Sequence, residues 1–163
     1  MKFTKLLPNS CNFRDLIDNN RVYVDKTALI CQIAKDEKGP YFISRPRRFG
    51  KSTLINTLHE LFAHGTEKFK GLEIEPLWND KTYKVLHLDF SSYNFLSEIN
   101  FCDYFYEDLK QKFIELGFSV NDSNLSLKAP GLLVDNAFKN NHSGEEIVLL
   151  VDEYDTPLSA VLN

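Results

Sequence analysis

The chain has 163 residues, of which 43% are hydrophobic and 26% are charged, and its formal net charge is −4. This composition excludes an intrinsically disordered or fibrous protein, because it supplies enough apolar side chains to bury a globular core. It also excludes a chain whose whole surface binds nucleic acid, since such a surface needs an excess of Lys and Arg. A local basic site remains compatible with it.

The cysteines and the apolar runs indicate the compartment. Three cysteines are too few and too scattered for a disulfide framework or a Cys-x-x-Cys metal site: Cys11, Cys31 and Cys102. No apolar run is long enough for a signal peptide or a membrane span. We therefore expect a soluble, cytoplasmic protein that has no membrane partner.

The first quarter of the chain is predicted to contain a short strand followed by a helix. Residues 21–24 have the apolar and aromatic content of a strand. Asp25 or Thr27 can cap a helix that continues to about Lys35. Residues 41–44 are predicted to form a second strand.

A longer helix is expected to begin near Lys51 and to end at Gly65. Its apolar residues recur at the spacing of one buried stripe: Leu54, Ile55, Leu58, Leu61 and Phe62. The segment from 41 to 65 is therefore predicted to be a strand, a tight loop and a helix.

The second half of the chain also alternates strands and helices. Residues 85–90 alternate as a strand does, and helices are predicted over 98–116 and 131–139. Residues 147–151 are an unbroken apolar run, which predicts a strand buried on both faces in a parallel sheet. The predicted fold class is α/β.

A phosphate-binding loop is predicted where the second strand meets the long helix. In the pattern Gly-x-x-x-x-Gly-Lys-Ser/Thr, backbone N–H groups surround the phosphates and the lysine reaches the outer ones. Gly50, Lys51 and Ser52 match this pattern, whereas Arg45 replaces the first glycine. The expected phosphate-binding residues are Arg47, Arg48, Phe49, Gly50, Lys51, Ser52 and Thr53. The alternative interpretation is a solvated basic turn.

An acidic strand end supplies the second half of the predicted site. Asp152 follows the apolar run and is placed to hold Mg²⁺, and Glu153 is the residue type that orients an attacking water. The alternative is a strand end whose charges are merely solvated. ATP is favoured over GTP, because Asp155 stands where a GTPase has glycine and no Asn-Lys-x-Asp motif occurs.

The motifs together resemble the predicted AAA-ATPase-like family of bacterial and archaeal proteins. Its marks are Tyr-Val-Asp-Lys-Thr, Arg-Pro-Arg-Arg-Phe-Gly-Lys-Ser and Val-Asp-Glu-Tyr-Asp-x-Pro, which stand here at 23–27, 45–52 and 151–157. The resemblance implies a P-loop NTPase-type, three-layer αβα fold with a largely parallel sheet. It also implies that Arg45 is the family's own form of the loop.

The resemblance further implies an incomplete domain. Residues 1–40 would form an N-terminal strand and helix, and residues 41–163 the nucleotide-binding core. In such ATPases the central strand, the sensor residue and the arginine finger follow the Asp-Glu strand, so we expect an N-terminal part of a longer domain. Longer members often carry a nuclease-like domain of the PD-(D/E)XK type, through which alone nucleic acid would be a partner.

The resulting hypothesis is an ATP-binding P-loop domain whose full-length protein hydrolyses ATP. Lys51 would stabilise charge on the phosphates, Ser52 and Asp152 would hold Mg²⁺, and Glu153 would position water. The main alternative is a nucleotide-dependent regulatory module with little hydrolysis, which would control an attached effector or a partner. Self-association, a phosphotransferase and an inert remnant are further alternatives.

Three weaker signals are interpreted as structural. His59 and His64 are five residues apart on a helix, which predicts that their rings point apart rather than share zinc. His87 and Asp89 are expected to be a packed ring and a strand-end cap. The aromatic residues of 100–106 are expected to pack in a core rather than to stack on bases.

Overall fold

The computed structural model describes residues 12–35, 40–44, 46, 48–79, 81–93, 98–121, 129–140 and 146–156. The chain divides into two compact units, Met1–Tyr83 and Lys84–Asn163. Over the described residues it is mixed α/β, with five α-helices and a two-stranded parallel sheet. No helix in those ranges combines the length and the apolar character needed to cross a bilayer.

The N-terminal unit contains three helices, α1 (Phe13–Asp18), α2 (Thr27–Lys35) and α3 (Lys51–His64). The predicted caps are confirmed. Asp25 Oδ1 accepts a hydrogen bond from the Thr27 N–H at 2.9 Å. Gly65 ends α3 with φ of 66°, a left-handed conformation that favours glycine.

The prediction of two strands in this unit is wrong. At residues 21–24 a single bridge residue, Arg21, is present, and residues 41–44 belong to no strand. Val24 and Phe42 are 70% and 71% exposed. Apolar and β-branched side chains favour an extended backbone, but a strand also needs a neighbour for its N–H and C=O groups.

The core of the N-terminal unit is built around Phe13. This ring is fully buried, stacks on Phe69 with centroids 4.5 Å apart, and meets the edge of Tyr23 at 5.1 Å. The α1 and α3 helices are also joined by an ion pair, in which Arg14 Nε and Nη2 donate to the two carboxylate oxygens of Glu60 at 3.1 and 2.8 Å. These contacts fix α3 in its unit.

Asp25 and Thr27 fasten the irregular segment 65–78 to the start of α2. Asp25 Oδ2 accepts from the Glu73 N–H at 2.9 Å, and the buried Thr27 Oγ1 accepts from the Ile74 N–H at 3.1 Å. Burial acts to raise the pKa of Asp25, but the hydrogen bonds from Thr27 and Glu73 outweigh it and lower the pKa. The Tyr-Val-Asp-Lys-Thr motif therefore contributes to packing.

The C-terminal unit contains β1 (Lys84–Asp89), α4 (Glu98–Glu115), α5 (Pro130–Asn140) and β2 (Ile147–Asp152). The two strands are parallel, and Asp89 pairs in register with Asp152. Leu86 and Leu88 of β1 belong to a buried cluster that includes Tyr106, Leu109 and Phe113 of α4 and Leu133 and Ala137 of α5. The four predicted elements are confirmed, and each observed end lies within one residue of the predicted end.

The prediction that β2 is buried on both faces is wrong. Leu150 is buried, whereas Leu149 and Val151 are 56% and 37% exposed. Leu149 and Val151 pair in register with the buried Leu86 and Leu88. The face of the sheet that is buried at β1 is therefore exposed at β2. The described residues form a sheet of two strands, and they do not show the three-layer fold implied by the resemblance.

Candidate functional site

The first turn of α3 presents backbone donors that the helix leaves open. Gly50 is the N-cap residue, with φ of 73° and ψ of 26°, and the first helical hydrogen bond runs from the Leu54 N–H to the Gly50 carbonyl at 3.0 Å. Gly50 has no side chain to cap the N–H groups of Lys51, Ser52 and Thr53. Such open donors at the positive end of a helix bind anions.

The loop before α3 holds an arginine in a conformation that usually belongs to glycine. The Phe49 N–H donates to the Pro46 carbonyl at 3.3 Å, which closes a turn that contains Arg48 with φ of 66°. A left-handed conformation costs an ordinary L-residue about 1–2 kcal/mol. At Gly50 an added Cβ would meet nothing within 4 Å, so the positive φ, and not crowding, favours glycine there.

The described part of this loop carries two basic side chains. Arg48 is exposed and Lys51 is partly buried. Neither forms an ion pair with another described residue. Arg45 and Arg47, which the sequence also placed in the loop, lie outside the described residues. The positive charge of Arg48 and Lys51 therefore adds to that of the helix N-terminus.

The acidic end of β2 forms a tight turn. Asp152 is 8% exposed, and its Oδ1 accepts a hydrogen bond from the Glu153 N–H at 3.0 Å. Glu153 has φ of 50°, and its carbonyl accepts from the Thr156 N–H at 3.0 Å. The Asp152 carboxylate therefore helps to hold Glu153 in a left-handed conformation.

Two residues with positive φ, one in each of these segments, are residues that the sequence predicted to be functional. Among the described residues, three that are not glycine have positive φ: Asn20, Arg48 and Glu153. Asn20 is of the type that tolerates this conformation. Arg48 and Glu153 are charged residues that the sequence predicted for phosphate binding and water activation. Strained backbone concentrates at functional sites, so this observation favours a functional role for both.

The sequence did not predict the pairing of Asp89 with Asp152. Both carboxylates stand at the carboxyl ends of adjacent parallel strands. Asp89 Oδ1 accepts from the Ser91 N–H at 2.9 Å, which confirms the predicted strand-end cap. Burial lowers the pKa of His87, and the carboxylates of Asp89 and Asp152 act in the opposite direction. The sequence feature that could have predicted this pairing is an Asp at the end of each of the two apolar strands.

The predicted separation of His59 and His64 is wrong, because their ring centroids lie 6.5 Å apart in an edge contact. Across the described ranges, no group of three His, Cys, Asp or Glu side chains is arranged to hold a metal ion.

The prediction that the aromatic run of α4 packs in a core is confirmed for Phe101, Phe105 and Tyr106 but is wrong for Tyr104, which is 59% exposed. Phe101 and Phe105 stack with centroids 5.8 Å apart and also contact Phe90.

Comparison with known proteins decides the family. The family model described as "Predicted AAA-ATPase" matches residues 10–163. The chain belongs to the AAA-ATPase-like family. The family's description supports nucleotide binding in general, and the AAA-ATPase-like match includes both the α3 loop and the end of β2.

A curated relative of this AAA-ATPase-like chain is the "Uncharacterized protein in vnfD 5'region" of Azotobacter chroococcum mcd 1. The two are 36% identical over 146 residues, which are 83% of this chain and 26% of the relative. The chain therefore spans about a quarter of the length of that relative. No solved structure matches the chain.

Proposed function

We propose that this chain binds Mg-ATP at the N-terminus of α3 and that the longer protein hydrolyses ATP to ADP and phosphate. The observation that carries the proposal is the first turn of α3, where open N–H donors follow a left-handed Gly50 and the first helical residue is the cationic Lys51. A triphosphate offers the acceptors and the negative charge that this turn lacks. The description of the family supports the same function.

Each residue proposed for nucleotide binding or hydrolysis has a role set by its chemistry. The N–H groups of Lys51, Ser52 and Thr53 hold phosphate oxygens, and Lys51 and Arg48 neutralise their charge. The Ser52 hydroxyl and the Asp152 carboxylate are the hard oxygen ligands that Mg²⁺ prefers. When bound, the ion neutralises charge on the phosphates. Glu153 orients the attacking water and accepts its proton.

Replacement of Lys51 tests the proposal. We expect Lys51→Ala to weaken Mg-ATP binding about 10- to 100-fold, because a hydrogen bond to a charged group contributes about 1.5–3 kcal/mol. Titration calorimetry measures the affinity. Lys35→Ala is the matched control, since Lys35 is exposed in the last turn of α2 and we expect it to leave the affinity unchanged. Equal affinities of Lys51→Ala and the parent chain would refute the proposal.

Replacement of Arg48 by glycine is expected to change stability and binding in opposite directions. Glycine adopts the positive φ of residue 48 without strain, so Arg48→Gly should raise the free energy of unfolding by up to about 1 kcal/mol. It removes a cation from the loop and should weaken Mg-ATP binding. Urea unfolding and calorimetry measure the two effects.

Asn20→Gly is the control for Arg48→Gly, because Asn20 has φ of 51° outside the loop. We expect it to leave the nucleotide affinity unchanged. An Arg48→Gly chain that binds Mg-ATP as tightly as the parent would remove Arg48 from the site.

A further inference from the structure

Two side chains from the second turn of α3 donate to carbonyls of its first turn. Asn56 Nδ2 donates to the Ser52 carbonyl at 2.8 Å, and Thr57 Oγ1 donates to the Thr53 carbonyl at 2.7 Å. Helical backbone bonds also use these carbonyls, so each accepts a second donor. Asn and Thr are not favoured inside helices, and such bonds to preceding carbonyls give no advantage to the helix itself.

The bond from Asn56 acts on the peptide group that carries an open donor. The Ser52 carbonyl and the Thr53 N–H belong to one peptide group, so a donor on the carbonyl polarises the N–H. This N–H belongs to the first turn, which has no helical acceptor for it. Asn56 therefore orients and strengthens an N–H group that faces the proposed phosphate.

The bond from Thr57 leads to Gly50. The Thr53 carbonyl and the Leu54 N–H belong to one peptide group, and this N–H donates to the Gly50 carbonyl at 3.0 Å. Thr57 is fully buried. Its bond therefore supports the hydrogen bond that closes the first turn on the left-handed Gly50.

Tyr23 lies beside Thr57 in the core. Burial raises the pKa of Tyr23, and the neighbouring Thr57 hydroxyl acts in the opposite direction. The ring meets the edge of the fully buried Phe13 at 5.1 Å. A continuous series of contacts thus joins the core of the N-terminal unit to the first turn of α3.

We propose that Asn56 and Thr57 are positioning residues, which hold the first turn of α3 in the geometry that binds phosphate. The inference rests on the proposed function. In this proposal neither residue contacts the nucleotide. They act by fixing peptide groups before the ligand arrives, which lowers the ordering cost of binding.

Variants at Asn56 and Thr57 separate positioning from general stability. We expect Asn56→Ala to weaken Mg-ATP binding about three- to tenfold, the effect of one hydrogen bond. Its stability should not fall, because Ala favours a helix more than Asn does. Thr57→Val should weaken binding to a similar extent, whereas Thr57→Ser keeps the hydroxyl and should bind within about twofold of the parent chain.

The outcomes are distinguishable from a failure of the proposed function. Calorimetry with Mg-ATP gives the affinities, and thermal unfolding followed by the fluorescence of Trp78 reports on the N-terminal unit. If Lys51→Ala binds as the parent does, the proposed function fails. If Lys51→Ala loses affinity while Asn56→Ala and Thr57→Val bind within about twofold of the parent, only the positioning role is overturned. Equal losses in Thr57→Ser and Thr57→Val also overturn it.

Discussion

Glu153→Gln is expected to lower the rate of ATP hydrolysis by about 10²- to 10⁴-fold, the usual contribution of a general base. Gln has nearly the same shape as Glu but cannot take a proton from water at neutral pH. The Glu153 N–H still donates to Asp152, so the turn should be retained. We therefore expect the Mg-ATP affinity to stay within about threefold of the parent chain, as for a group that acts on the transition state.

Single-turnover phosphate release measures the effect of Glu153→Gln, with the affinity titrated on the same preparation. Glu146→Gln is the matched control, because it makes the same change of charge just before the first residue of β2. A Glu153→Gln chain that releases phosphate at the parent rate would remove this residue from the chemistry. A longer protein that binds Mg-ATP but releases no phosphate would favour the regulatory module.

Phe13→Ala is expected to lower the free energy of unfolding of the N-terminal unit by about 3–5 kcal/mol. The ring is fully buried between Phe69 and Tyr23, so its removal leaves a cavity and deletes two aromatic contacts. Trp78 is the single tryptophan of the chain and packs edge to face on Phe62 with centroids 5.9 Å apart. Its fluorescence during urea unfolding therefore reports on this unit.

Phe42→Ala is the matched control for Phe13→Ala. It makes the same chemical change at a side chain that is 71% exposed, so we expect a change within about 0.5 kcal/mol. Similar losses in the two variants would contradict the assignment of Phe13 to the core.

Local signals in the sequence predicted α2 to α5, whereas α1 was not predicted. The cap of α2 depends on Asp25 and Thr27, which are two residues apart, and the end of α3 depends on the conformation of Gly65 alone. Helical hydrogen bonds and caps join residues that are close in sequence, so a short window contains most of the determinants.

Strand assignments failed where the answer depended on distant residues. Residues 41–44 have the composition of a strand, but nothing in that segment shows whether a neighbour will pair with it. The exposure of Leu149 and Val151 likewise depends on which part of the sheet the helices cover. Hydrophobic content predicts an extended segment, whereas pairing and burial are properties of the tertiary structure.

The sequence supplies the residue types of the candidate site but not its geometry. The pattern at 50–52 identified the start of α3, because a phosphate loop needs glycine, lysine and a hydroxyl in that order. The positive φ of Arg48 could not be read from the sequence, since arginine is not a residue that favours it. The donors Asn56 and Thr57 looked like ordinary polar residues of a helix.

The composition of β2 and its flanks has a consequence for the newly made chain. Residues 147–151 are uncharged, apolar and free of proline, and their partner β1 precedes them by two helices, so they stay unpaired until a long connection is ordered. Such a segment is prone to aggregate. Glu145 and Glu146 precede it, and Asp152 and Glu153 follow it, in the positions of gatekeeper residues. We therefore expect the acidic end of β2 also to limit self-association of the nascent chain, and neutralising both Asp152 and Glu153 to lower the soluble yield.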